Sequence, residues 1–145
     1  GINLTEAKYK HFCPGGTGTA NPLDACSVGT PDYAGRNLDR SPGATAFGSV
    51  NWTVPVGSGE VVINAGTRLI GRYSITQFGS APVQYFTPAH SSSQASVTYN
   101  APDNAWYLQA YVKNIENFIE IRNATNDTVT PGDPRTLGVR AGMKF

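Results

Sequence analysis

Apolar and polar residues alternate along several stretches of this chain, most clearly over its last ten residues. Every second position there is apolar, and the positions between them carry small or cationic residues. The apolar set is Leu137, Val139, Ala141, Met143 and Phe145. Because successive side chains of a β-strand point to opposite faces, this stretch predicts a strand with one apolar and one polar face.

The same period predicts about six strands in the whole chain, and no segment of helical length has a clear helical apolar stripe. The nearest helical candidate, residues 112–121, is rich in β-branched and aromatic residues and fits a strand equally well. The predicted strands are residues 5–12, 44–54, 60–73, 92–99, 105–113 and 136–145. The pattern therefore predicts an all-β, antiparallel fold.

The connections between these strands alternate in length. Residues 54–59 and 100–104 have the composition of tight turns, whereas residues 13–42, 74–91 and 114–135 form long linkers. Strands joined in series by alternating short and long connections are typical of an up-and-down barrel whose two rims face different compartments. We therefore expect the short turns at one rim and the long linkers at the other.

Composition agrees with strands and turns rather than helices. The chain has 16 Gly and 10 Pro residues, and only 14% of its residues are charged. No apolar run reaches the roughly 18 residues that a transmembrane helix needs. The formal net charge of +1 gives no support for a nucleic-acid partner.

The two cysteines, Cys13 and Cys26, lie in one loop rich in Gly, Pro, Thr and Asn. A disulfide, a metal half-site with His11 or Asp24, and a pair of free thiols are the alternatives. A structural metal site needs more clustered ligands than this loop offers, so no metal is predicted. In an oxidising compartment the disulfide is favoured, and it stabilises a short loop by about 3 kcal/mol in the chain-entropy model.

No catalytic constellation is evident, so the chain is not expected to be an enzyme or to bind a cofactor. His11 and His90 are isolated in the sequence, and no serine has a Gly-x-Ser-x-Gly context. Residues 15–18 are glycine-rich but lack the lysine of a phosphate-binding loop. The carboxylates between residues 116 and 133 are interpreted as a solvated loop.

Three segments carry a family resemblance. Residues 132–145 closely resemble the C-terminus of TonB-dependent outer-membrane receptors, with Leu137 and Met143 at positions where an aromatic residue is common. Residues 106–115 resemble the penultimate strand of those barrels, and residues 35–42 resemble the stretch that leads into a descending strand. The resemblance covers residues 1–145 as the C-terminal part of a much longer barrel, and this sequence contains neither a plug domain nor a TonB box.

The resemblance implies a place in the bacterial outer membrane and uptake of a scarce ligand such as a ferric siderophore. The implied partners are outer-membrane lipid, the remaining barrel strands and plug, the TonB complex and the barrel-assembly machinery. The candidates for lumen-facing groups are Arg68, Tyr107, Gln109, Lys113, Arg140 and Lys144. The implied assembly signal is Val139, Ala141, Met143 and Phe145, with Phe145 pointing outward at the periplasmic rim.

One physical difficulty accompanies this reading. Six strands do not close a wide barrel, and lipid cannot satisfy the hydrogen bonds of an open edge. We therefore expect a transmembrane barrel segment, not a complete barrel alone, whose missing strands lie in another segment. The alternative is a soluble or surface-exposed β-sandwich with a structural or interaction role, which turns its apolar face inward and self-associates through its edges.

Overall fold

The computed structural model describes residues 1–13, 26, 32–77, 83–125 and 128–144, and this part of the chain is built almost entirely of strands. Within these residues one short 3-10 turn, Pro102–Asn104, accompanies the strands. Nowhere in the described ranges is there a helix long and apolar enough to cross a membrane. The strands are β1 Ile2–Leu4, β2 Ala44–Val56, β3 Gly59–Ile70, β4 Tyr73–Gln77, β5 Val83–Thr87, β6 His90–Asn100, β7 Trp106–Lys113, β8 Ile121–Thr125, β9 Thr128–Pro131 and β10 Thr136–Met143.

Six of these strands form one antiparallel sheet in the order β1-β2-β3-β6-β7-β10. The other four form two hairpins, β4-β5 and β8-β9, inside two of the long connections. When these hairpins are set aside, the sheet runs in simple up-and-down order and is open. The predicted all-β, antiparallel up-and-down sheet of about six strands, incomplete as a barrel, is therefore confirmed.

The first predicted strand, residues 5–12, is wrong. The edge strand is β1, which pairs Ile2 with Ala46 and Leu4 with Ala44. Residues 7–12 run beside residues 33–38 instead, and hydrogen bonds such as Tyr9 N to Arg36 O (3.0 Å) hold them there. The aromatic rings of this segment pack against Tyr33 rather than onto the sheet, and a local sequence pattern does not reveal so distant a partner.

The two short connections have the chemistry that tight turns need. The β2-β3 hairpin has two central residues, of which the first, Gly57, has φ of 62°. A positive φ at that position suits the twist of a two-residue hairpin and favours glycine. The β6-β7 turn places Asp103 and Asn104 at φ of 55° and 53°, values that these two residue types tolerate well.

The register places all long connections at one end of the sheet. We call this end the loop rim; Leu4, Ala44, Ile70, His90, Lys113 and Thr136 mark it. The opposite end, the turn rim, carries the two short turns. The predicted alternation of short and long connections therefore separates the two rims of the sheet.

The buried side chains lie mainly in the connections, not on the sheet. Tyr33 is 1% exposed, Ser74 0% and Ile75 3%, and Thr87 and Ala124 are buried as well. The two hairpins contact each other through β4 and β8. The long connections thus form a layer with its own small core, whereas the described sheet leaves many of its large apolar side chains exposed.

Candidate functional site

The strand register sorts the side chains of the sheet onto two faces, because residues paired across antiparallel strands point the same way. One transverse row consists of Val50, Ala65, Ala95, Val112 and Leu137, each paired with the next. The adjacent row consists of Asn51, Asn64, Ser96, Tyr111 and Gly138. The sheet therefore has an apolar face, which includes the first row, and a polar face, which includes the second.

The apolar face is open to its surroundings. Val50 is 67% exposed, Trp52 62% and Val139 71%, and Leu137 and Met143 are similarly exposed. Soluble monomers rarely leave a continuous apolar patch of this kind uncovered. The face therefore requires a cover that the described residues of this chain do not supply.

The polar face collects most of the groups predicted to face a lumen. Arg68 pairs with Ser92, Gln109 with Arg140, Tyr107 with Gly142 and Lys113 with Thr136, so five of the six predicted groups share one face. Lys144 lies one residue beyond β10, and its N–H donates to Ala105 O at the turn rim (2.9 Å). That these groups face a lumen remains a prediction.

Tyr111 is the centre of a cationic cluster on the polar face. The Arg140 guanidinium lies 4.7 Å from the ring centroid and the Lys113 ammonium lies 5.9 Å from it. Asn51, Asn64 and other amide and hydroxyl side chains line the shallow depression beside the ring. This arrangement suits hydrogen-bonded contact with a polar or anionic surface.

Two glycines of β10 make room for tyrosine rings of β7. A Cβ atom added at Gly138 would overlap the Tyr111 ring, and one added at Gly142 would overlap the Tyr107 ring. Rings that lie over glycines of a neighbouring strand shield the backbone and fix the register. Sequence reasoning missed these pairs, although the two tyrosines and the two glycines share a spacing of four residues.

A second polar cluster joins two long connections at the loop rim. Glu120 accepts a hydrogen bond from the Tyr73 hydroxyl (3.1 Å) and lies 3.6 Å from His90 Nε2. His90 stacks on Phe118 with centroids 4.4 Å apart, and its side chain is 7% exposed. The interpretation of His90 as isolated is therefore wrong, because its partners come from a connection about 30 residues away in sequence.

Contacts in and beside this cluster raise the pKa of two side chains, Tyr73 and Arg122. Burial is the main cause that raises the pKa of Tyr73, and the nearby Glu120 carboxylate adds to it. Arg122 donates to Asp133 (2.8 Å), and this hydrogen bond raises the pKa of the guanidinium. Glu120 therefore contacts Tyr73 and His90, and Asp133 contacts Arg122. The interpretation of this region as a merely solvated loop is incomplete.

The first long connection joins the same layer. The Arg40 guanidinium donates to Asn123 Oδ1 (3.0 Å), and Arg40 N donates to Ser74 O (2.8 Å). Ser74 Oγ donates to Asn37 O (3.3 Å). Side chains and backbone of all three long connections therefore hold one another at the loop rim.

The predicted disulfide between Cys13 and Cys26 is confirmed, with a Cα–Cα distance of 5.4 Å. It lies in the connection between β1 and β2. His11 Nε2 lies 3.8 Å from Cys13 Sγ, and His11 Nδ1 lies 2.9 Å from Asp32 Oδ2. His11 is therefore not isolated, contrary to the interpretation from sequence.

Phe145, the last predicted member of the assembly signal, falls outside the described residues.

Glu116 provides a pH-dependent link between a long connection and the sheet. Ser93 N (2.9 Å) and Ser93 Oγ both donate to its carboxylate, and the hydroxyl contact lowers the pKa of Glu116 from 4.5 to about 2. Because the folded-state pKa is depressed, this stabilisation is present above pH 4.5 and is lost as the pH falls towards about 2.

We expect a carboxyl titration followed by NMR to show that Ser93→Ala raises the pKa of Glu116 towards its ordinary value. Asn100→Ala is the control: it removes the amide donor to Glu60 and should leave the pKa of Glu116 unchanged.

Neither a model of a known protein family, nor a curated protein, nor a solved structure matches this chain.

Proposed function

We propose that this chain is part of the wall of an outer-membrane, TonB-dependent transporter that takes up a scarce ligand such as a ferric siderophore. The observation that carries the proposal is the separation of the sheet into an uncovered apolar face and a polar, cationic face. An alternating sheet with lipid outside and water inside needs this division. In this role the chain performs no chemistry itself and supplies wall, lumen surface and loops.

The size of the apolar face supports contact with lipid. Val61 and Leu69 are eight residues apart on β3, or about 27 Å along the strand at about 3.4 Å per residue. A tilt of about 40° reduces this to roughly 20 Å, close to the apolar band of about 25 Å in outer-membrane barrels. The apolar face also carries three aromatic residues in its half next to the turn rim, where an aromatic girdle is expected: Trp52, Tyr99 and Trp106.

The distribution of charge supports a wet lumen on the other side. Arg68, Lys113 and Arg140 all belong to the polar face. The same cations on the lipid face would cost about 2–4 kcal/mol each at mid-membrane. The loop layer supports the extracellular assignment of the loop rim, because outer-membrane barrels carry long connections outside and short turns in the periplasm.

The edges of the sheet support an assembly larger than these strands. In the described residues β10 pairs only with β7, and β2 beyond Phe47 pairs only with β3. Both edges therefore present backbone groups that further barrel strands would pair. The same edges favour the second candidate, a soluble or surface-exposed β domain that self-associates through them.

A labelling experiment on intact cells tests the proposal. We expect a membrane-impermeant maleimide to label Thr130→Cys, an exposed residue of the β8-β9 hairpin, without permeabilisation. Ser58→Cys, in the β2-β3 turn, is the matched control and should react only after the outer membrane is opened. The native cysteines are bonded to each other and should stay unlabelled.

The sidedness of labelling decides between the two candidates. Equal labelling of both positions on intact cells would contradict a transmembrane sheet and favour a surface domain. Recovery of the protein in the soluble fraction without detergent would contradict the proposal as well. A protein that stays in the outer-membrane fraction and labels at position 130 alone meets both expectations.

A further inference from the structure

His11 and the two cysteines of the disulfide bring three metal-ligating atoms together in the connection between β1 and β2. One ligand atom each of His11, Cys13 and Cys26 lies within 4.8 Å of the other two, and all three residues are half-buried. His11 Nε2 is 3.8 Å from Cys13 Sγ. Bonds of about 2.05 Å to nitrogen and 2.3 Å to sulfur at the tetrahedral angle place two zinc ligands about 3.6 Å apart. The nitrogen and the sulfur therefore already stand near the separation that a bound zinc ion requires.

A carboxylate orients the histidine of this group. Asp32 Oδ2 lies 2.9 Å from His11 Nδ1, while Asp32 Oδ1 accepts from Ala34 N (2.9 Å) and Phe12 N (3.2 Å). A carboxylate oxygen accepts and an imidazole N–H donates, so His11 Nδ1 donates to Asp32 and Nε2 is the ring nitrogen that faces Cys13. Histidines that bind metals are typically held in this way by a second-shell carboxylate.

The segments that carry His11 and Asp32 are fixed by packing. Tyr33 is 1% exposed, and Phe12 and Tyr9 pack against it with centroids 6.3 Å away. Tyr33 N donates to Phe12 O (2.9 Å), and the Arg36 guanidinium lies 4.2 Å above the Tyr33 ring. Asp32 and His11 are the direct chain neighbours of this aromatic cluster. Their positions are therefore supported independently of the disulfide.

We propose that the dithiol form of this loop binds one thiophilic divalent cation of the Zn²⁺ class through His11, Cys13 and Cys26, with Asp32 as a positioning residue. Two molecules of a small thiol, or one dithiol, supply two electrons and two protons, break the S–S bond and are themselves oxidised to a disulfide. The cation then displaces both thiol protons to solvent as the sulfurs bind as thiolates. The fourth tetrahedral position is left to water. The disulfide is the metal-free state of the same loop, so reduction and oxidation of these two cysteines switch it between metal site and cystine.

The test uses the detergent-solubilised protein before and after reduction by a phosphine, which opens the cystine and leaves no competing thiol. We expect the reduced protein to bind one Zn²⁺ per chain in competition with a chromogenic chelator, and the oxidised protein to show no such site. With Co²⁺ the reduced protein should show thiolate-to-cobalt charge-transfer absorption and tetrahedral bands. His11→Ala and Cys13→Ser should each abolish tetrahedral binding.

Asp32→Asn separates a folded site from two cysteines in a loose loop. It should weaken Zn²⁺ binding by about 10- to 100-fold, as losses of outer-shell partners do. Asp103→Asn, an exposed carboxylate at the turn rim, is the matched control and should leave the affinity unchanged. If the reduced wild type binds no Zn²⁺, or if binding is indifferent to His11 and Asp32, the inference is overturned. Neither result depends on whether the sheet lies in a membrane.

Discussion

Replacing Val50 with arginine is expected to destabilise the protein in a lipid bilayer by about 2–4 kcal/mol if the apolar face contacts lipid as proposed, because the cation would then enter the hydrocarbon at mid-strand. Ser49→Arg is the matched control, since Ser49 is the preceding residue of β2 and points to the opposite, polar face. Its cation should be tolerated with little change. Unfolding by guanidinium in bilayers of defined composition measures both values.

This comparison separates a lipid-facing sheet from a soluble sheet whose apolar face stays uncovered. Val50 is 67% exposed, so on such a soluble protein an arginine there would replace one exposed side chain by another. Such surface changes usually alter the free energy of unfolding by less than about 0.5 kcal/mol. Equal stabilities of the Val50 and Ser49 variants would therefore contradict a lipid-facing sheet, whereas a large difference confined to Val50→Arg would support it.

Replacing Gly138 with valine is expected to lower the free energy of unfolding by about 1–3 kcal/mol, the usual range for overpacking. The new side chain occupies the space of the Tyr111 ring, so the ring must leave its place over β10. That movement also breaks its contact with the Arg140 guanidinium, now 4.7 Å from the ring centroid. Denaturant unfolding followed by tyrosine fluorescence measures the change.

Two controls identify the cause of that loss. Gly48→Val places the same side chain in the strand interior of β2, where nothing lies within 4 Å of an added Cβ, and it should cost much less. In a Tyr111→Ala background, Gly138→Val should lose most of its effect because the overlapping ring is gone. A cost that is unchanged without the ring would mean that Gly138 is needed for its backbone and not for Tyr111.

The amino-acid sequence by itself determined which side chains share a face of the sheet. Residues such as Val139 and Arg140 differ in polarity at a period of two, and that period is a local property which each strand carries without its neighbours. The short turns at Gly57 and Asp103 are also local, because a two-residue hairpin or a tight turn is specified by the residues within it. These local signals were enough to predict five of the six strands of the sheet, their antiparallel order and the two rims.

Only the tertiary structure decided what the long connections do. The pattern around Tyr9 fits a strand, yet its ring packs against Tyr33, and the sheet edge is formed by Ile2–Leu4 instead. His90 and Glu120 come together across the loop rim, as do His11 and Asp32. Such contacts join residues 20 or more positions apart, and their formation depends on closing loops rather than on any local period. The two faces of the sheet could therefore be predicted from the sequence, whereas the side-chain contacts at the loop rim depend on the fold.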